Sequence, residues 1–172
     1  MIRFNLIVLA MSGALFFPGF RPAARHDDKL GFTIHVNGDQ FKNQTFFIPP
    51  LNATYCNLYF DFKDDARAKR TVLTGHAPDN SLQINIHVPI HKTTGSFTFT
   101  EDNIPTYMWF DFTYEKDGVG RAYLPGKMTV NITHYGNVGE FIEGSFSGEL
   151  RSGDKKITAD GNFKVKRVKD KT

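Results

Sequence analysis

The sequence predicts an all-β fold, an antiparallel β-sandwich of about nine strands, on three observations. Nearly every segment after residue 30 alternates apolar and polar side chains with a period of two. The links between those segments carry Gly, Asn, Asp and Pro. No window shows the 3.6-residue stripe of a core-facing helix. A closed, lipocalin-like β-barrel is the alternative, because sandwiches and barrels both alternate inward and outward residues.

Residues 1–24 read as a signal peptide: Arg3, the apolar run Leu6 to Phe17, a helix-breaking Pro18-Gly19, and a cleavage site expected near Ala24. No cysteine stands near that junction, so a lipidated terminus is not expected. The remainder, 25–172, forms a single domain ending in the basic tail "KVKRVKDKT". A domain of that size buries about two-thirds of the surface that its unfolded chain exposes. Cys56 is the only cysteine, so no intrachain disulfide can form and stability must come from packing. Seventeen Phe supply the apolar bulk. Loss of the leader removes two of 21 basic groups against 18 acidic ones, leaving a near-neutral chain with no electrostatic footprint for nucleic acid.

The strands follow in order. "FTIHV" sends Phe32, Ile34 and Val36 to one face, and Asn37-Gly38 marks a hairpin turn. "YCNLYFDF" directs Cys56, Leu58, Phe60 and Phe62 one way and Tyr55, Asn57, Tyr59 and Asp61 the other. The charged stretch Asp61 to Arg70 is expected as an exposed loop. "SLQINIHVPI" alternates through Leu82, Ile84, Ile86, Val88 and Ile90, with Pro89 arguing for an edge strand or a bulge. "GSFTFT", "TYMWFDFTY", "KMTVNITHY", "EFIEGSFSGEL" and "KITADGNFKVKRV" continue the rhythm. "EKDGVG", "LPGK", "RSGD" and "ADGN" read as the links between them.

"GSFSG" (144–148) superficially resembles the G-x-S-x-G elbow of serine hydrolases, yet Phe146 occupies the nucleophile's position. Strand alternation also runs straight through it, with Ile142, Gly144, Phe146, Gly148 and Leu150 on one face. Ser145 and Ser147 are therefore read as architecture, with Gly making room for a neighbouring side chain. His87 and His91 share a strand face but stand roughly 13 Å apart, too far for one metal. The run Asp61, Asp64, Asp65 lacks the spacing of a calcium loop. No catalytic residue, metal site or cofactor is expected. "TYMWFDFTY" is the most suggestive stretch: with Phe110 and Phe112 inward, Tyr107 and Trp109 face outward and join Tyr55 and Tyr59 in a candidate aromatic platform for a glycan, a peptide or an envelope component. Asn43, Asn52 and Asn131 head sequons, a pattern common by chance in a Thr- and Asn-rich β chain.

The succession "LQINIHVPIHKTTGSFTF", "GKMTVNITHYGNVGEFIEGSFSGEL" and "KKITADGNFKV", about residues 82 to 168, resembles a group of exported Bacteroidota proteins of unknown function, many of them lipoproteins. The resemblance implies a β-sandwich outside the cytoplasm, in the periplasm, at the cell surface or beyond it. It implies no catalytic residues, and the lipidated cysteine of many such proteins is missing here. The expectation is an exported, non-enzymatic binding or envelope-associated module. A lipocalin-like carrier of an apolar small molecule is the alternative, although no G-x-W marks the first strand. A hydrolase assembled from distant groups such as His87, His134 and Ser145 is a third reading.

Overall fold

The computed structural model describes residues 29–50, 53–59, 69–89, 94–101 and 109–168, with the backbone alone at 53–59, 69–70, 89 and 109. Ten strands are described: β1 Gly31–Gly38, β2 Phe41–Ile48, β3 Ala53–Tyr59, β4 Lys69–His76, β5 Leu82–Pro89, β6 Gly95–Thr100, β7 Trp109–Lys116, β8 Val119–Tyr135, β9 Phe141–Ser152 and β10 Lys155–Lys166. The all-β expectation holds. Every described pairing is antiparallel, in the order β2-β1-β10-β9-β8-β7-β5-β4-β3, with β6 added to β8. This single sheet curls into a half-barrel, which brings Phe41 of β2 against Phe112 of β7, five places along the sheet.

Turn chemistry accounts for the hairpins. Asp117 and Gly118 both take positive φ, +53° and +75°, as a two-residue type I′ loop between β7 and β8 requires. Gly153 at φ +60° opens the loop between β9 and β10. The hairpin expected at Asn37-Gly38 forms, but the chain reverses two residues later, at Asp39-Gln40, after a bulge between Val36 and Gly38. That shift places Phe41 in the core, 2% exposed, where it meets Phe46, Phe112, Tyr114 and Tyr123.

Four other expectations are corrected. "LPGK" is not a link: β8 runs through it as one strand of 17 residues, with an extra residue between Pro125 and Lys127. The bulge shifts the inward set from Tyr123 and Pro125 to Met128, Val130 and Ile132. A second irregularity between Ile132 and His134 shifts it back, so that Tyr135 packs on the core. "ADGN" likewise lies in mid-strand, where Ala159 and Gly161 face inward in β10. Pro89 ends an interior strand, β5, rather than marking an edge. Its partner on β4 is Arg70. Lys69 and Arg70, expected in the charged loop, open β4; residues 60–68 lie outside the described residues, as does the leader.

The alternation otherwise builds the core as expected. Phe32, Ile34 and Val36 of β1, Leu82, Ile84, Ile86 and Val88 of β5, and Phe110 and Phe112 of β7 are all at most 1% exposed. Burial of each such side chain favours folding by roughly 1.5–3 kcal/mol. Glycines on β9 and β10 make the room that "GSFSG" implied. Gly144 pairs with Phe163 and Gly161 with Phe146, each ring lying over the glycine opposite. A Cβ at Gly161 would stand 2.7 Å from the Phe146 ring. This cross-strand exchange of glycine for ring lets two large side chains share a narrow stretch of the inner face.

Candidate polar binding face

The outer faces of β2, β1, β10, β9, β8 and β6 present residues whose neighbours are set by strand register. One row crosses all six strands: Thr45, His35, Asp160, Ser147, Thr129 and Thr98. The row beside it runs Phe47, Thr33, Asn162, Ser145, Asn131 and Ser96. Adjacent strands lie about 4.8 Å apart and alternate residues rise about 6.6 Å, so the two rows form a band about 24 Å long. Apart from His35 and Phe47, every side chain in it is short and polar.

Long charged side chains border the band on both sides. On one side Lys164 Nζ lies 2.8 Å from Glu143 Oε1, and Glu143 pairs across the ladder with exposed His134. On the other, Glu149 Oε1 accepts a hydrogen bond of 2.7 Å from Arg151 Nε, with Lys156 Nζ at 3.8 Å and Glu101 completing the cluster through Arg151. The Arg151 hydrogen bond, followed by the Lys156 charge, holds the Glu149 carboxyl below its ordinary pKa, and the same partner raises that of Arg151. These exposed pairs add little stability. Their effect is to tie down the long side chains that would otherwise sweep across the short ones.

A groove of about 340 Å³ opens at the β2 end of the band, lined by His35, Asn37, Asn43, Thr45, Thr158 and Asp160. Asn43 has φ +51°, a left-handed kink in the edge strand, and its backbone N–H donates to Asn37 Oδ1 at 3.3 Å. His35 Nδ1 and Thr45 Oγ1 are 2.8 Å apart. Thr158 Oγ1 donates to the Asn37 carbonyl at 3.4 Å. The Asp160 carboxylate, directly opposite His35 on the ladder, has neither a hydrogen bond nor an ion pair among the described residues. Asn162 is only 8% exposed, yet its amide also has no side-chain partner among them.

The outer face of β4, β5 and β7 differs. Thr74 Oγ1 donates to Asn85 Oδ1 at 2.6 Å, and Asn85 Nδ2 donates to the two Asp111 oxygens at 3.1 and 3.3 Å. These polar groups satisfy one another. Of the expected platform, Tyr107 lies outside the described residues, as do the side chains of Tyr55, Tyr59 and Trp109. Register pairs Tyr55 with Leu73, Tyr59 with Lys69 and Trp109 with His87. Register pairs none of the four histidines of the described strands with another: His35 pairs with Thr45 and Asp160, His76 with Gln83, His87 with Val72 and Trp109, His134 with Glu143. Among the described residues no group of three or more His, Cys, Asp or Glu gathers as a metal site would need. Also among them, no helix is long and apolar enough to cross a membrane.

Sequence reasoning did not find the band, because its members come from six separated segments. The signal available was local: β1, β6, β8, β9 and β10 each place short polar residues at successive outward positions, where exposed strands commonly carry Lys and Glu. Scans of family models, curated proteins and solved structures found no match for the chain.

Proposed function

We propose that the chain is an exported, non-enzymatic binding module that engages a polar partner through the outer face of β2, β1, β10, β9, β8 and β6. The observation that carries this reading is the band itself, in which the Asp160 carboxylate, lining a groove of about 340 Å³, has no hydrogen-bond or ion-pair partner among the described residues. Polar groups in such a setting are free to exchange water for a ligand. Ser145 and Ser147 stand on an extended strand with no strained turn, which favours a binding role over hydrolysis. The leader-like N-terminus and the resemblance to exported Bacteroidota proteins support a location in the envelope or beyond it.

The curled sheet works, in this reading, as a sandwich of two halves joined through β8. Phe32 and Ile48 from one half crowd Gly75 of β4 from the other, and Phe110 of β7 stacks 5.6 Å from Phe146 of β9. Ring contacts of this kind between the halves favour a packed sandwich over the hollow interior that a lipocalin-like carrier would need.

Cosedimentation with insoluble cell-envelope material tests the proposal. Wild type should pellet with the material, and Asp160→Lys, at an unchanged melting temperature, should stay in solution. Equal behaviour of the two proteins, or no cosedimentation by wild type, would contradict the reading.

A further inference from the structure

We infer that the partner is a neutral, extended glycan chain lying across the strands, seated in the groove at β2 and continuing along the band to β6. This deepens the binding reading above and rests on it.

The band is matched to such a ligand in four respects. Its floor presents hydroxyls (Thr45, Ser147, Thr129, Thr98, Thr33, Ser145, Ser96) and amides (Asn162, Asn131), groups that both donate and accept, as sugar hydroxyls do. The carboxylate of Asp160 accepts only, and a charged acceptor makes a hydrogen bond roughly twice as strong as a neutral one, the natural anchor for a pair of vicinal hydroxyls. Phe47, 45% exposed, ends the second row with a ring open to the apolar face of a pyranose, while Lys29 Nζ lies 5.9 Å from its centroid. The strand repeat of about 4.8 Å is close to the length of one sugar unit in an extended chain, so successive rings meet successive strands.

Charge decides between neutral and acidic glycans. The only carboxylate in the two central rows is Asp160, in the groove that would seat the first rings, and it would repel a uronate or a sulfate there. Of the basic groups nearby, Lys164, Arg151 and Lys156 are already paired with Glu143 and Glu149 along the borders, which leaves exposed Lys127, opposite Glu149 on the ladder, as the cation on that side. A second occupant, a β-strand from another protein, is disfavoured along this face because its backbone groups would have no free ladder to join. Length decides between a single sugar and a chain, since the groove is one end of a surface spanning six strands.

The test is calorimetric titration of the full chain with soluble cello-, xylo-, manno- and malto-oligosaccharides, each as disaccharide and hexasaccharide, with a galacturonate hexamer as the acidic counterpart. At least one neutral series should bind, its hexasaccharide about tenfold or more tighter than its disaccharide, a factor that one or two added hydrogen-bonding subsites supply. Thr129→Lys, far from the groove, should abolish the gain with length. Asp160→Ala should weaken both. No binding by any neutral series, equal affinity for both lengths, tighter binding of the galacturonate, or a Thr129→Lys variant that keeps the full gain would each overturn the inference. If wild type still pellets with envelope material in an Asp160-dependent way while every neutral hexasaccharide fails, the ligand class is wrong and the binding face stands. Failure of both assays removes both proposals.

Discussion

The two faces of β1, β10, β9 and β8 are built from the same strands and obey opposite rules. Inward, Phe146 and Phe163 interlock with Gly161 and Gly144, and a Cβ placed on either glycine would meet a backbone oxygen as well as a ring. Outward, at positions offset by one residue, stand the short polar side chains of Thr33, Ser145 and Asn162, the first two half-buried and the last buried. The inner face is fixed by volume, because close-packed interiors register changes of a single methylene. The outer face is free to vary as far as folding is concerned, so its uniform population of short polar groups calls for another reason. Binding supplies one.

That contrast is sharpened first at Phe146, where the largest effect is expected. Phe146→Ala should lower unfolding free energy by about 3–5 kcal/mol, since the ring lies over Gly161 and 5.6 Å from the Phe110 ring. Chemical denaturation checks it, and a loss below about 1 kcal/mol would place the ring outside the core. Gly161→Ala comes next, at about 1–3 kcal/mol, because the added methyl confronts Phe146 and the Thr33 carbonyl together. The double variant Gly161→Ala with Phe146→Leu should lose less than the sum of the single changes, if ring and glycine are complementary.

A smaller effect is expected where the inner face reaches the turn. Tyr123, with no exposed surface, donates from its hydroxyl to Asp39 Oδ2 at 2.7 Å and so ties the β1–β2 reversal to β8. Burial, then the hydrogen bond to Asp39 and its charge, push the phenol up to about 12 from its ordinary 10.0. The folded state therefore holds this proton more tightly than the unfolded chain does. Its contribution is intact below pH 10 and is lost as pH climbs from there towards about 12. Tyr123→Phe should cost about 1 kcal/mol at neutral pH. Its stability should also fall less steeply than that of wild type across the alkaline window. Parallel curves for the two proteins would separate the hydroxyl from the effect.

The smallest change in stability belongs to the outer face. Thr129→Val and Asp160→Asn should each stay within about 0.5 kcal/mol of wild type by thermal denaturation, as surface substitutions away from networks do. A loss of several kcal/mol at either position would mean that the band is structural, and the comparison of faces would collapse.

Much of the inner face was legible in the sequence, and little of the outer one. Period-two alternation identified Phe32, Ile84, Phe110 and Phe146 as inward residues because each depends only on its own strand. Turn signals misled at "LPGK" and "ADGN", where Pro125-Gly126 and Asp160-Gly161 carry turn chemistry but serve a bulge and a ring's resting place. Gly is chosen for want of a Cβ in all of these settings, and only the neighbouring strand distinguishes them. The band lay further out of reach. His35 meets Thr45 within one hairpin, but Asp160 comes to its other side from 125 positions along the chain, through a pairing of first and last strands that no local pattern specifies. The aromatic residues singled out instead, Tyr55, Tyr59, Tyr107 and Trp109, were visible because bulk is visible in a sequence, whereas a row of small hydroxyls appears only once strands are laid side by side.

Amide chemical-shift mapping during titration with the tightest-binding neutral hexasaccharide tests the central claim most directly. The account predicts perturbations along Thr45, His35, Asp160, Ser147, Thr129 and Thr98 and their neighbours in the second row. Shifts confined to β4, β5 and β7, or scattered over the interior, would contradict it.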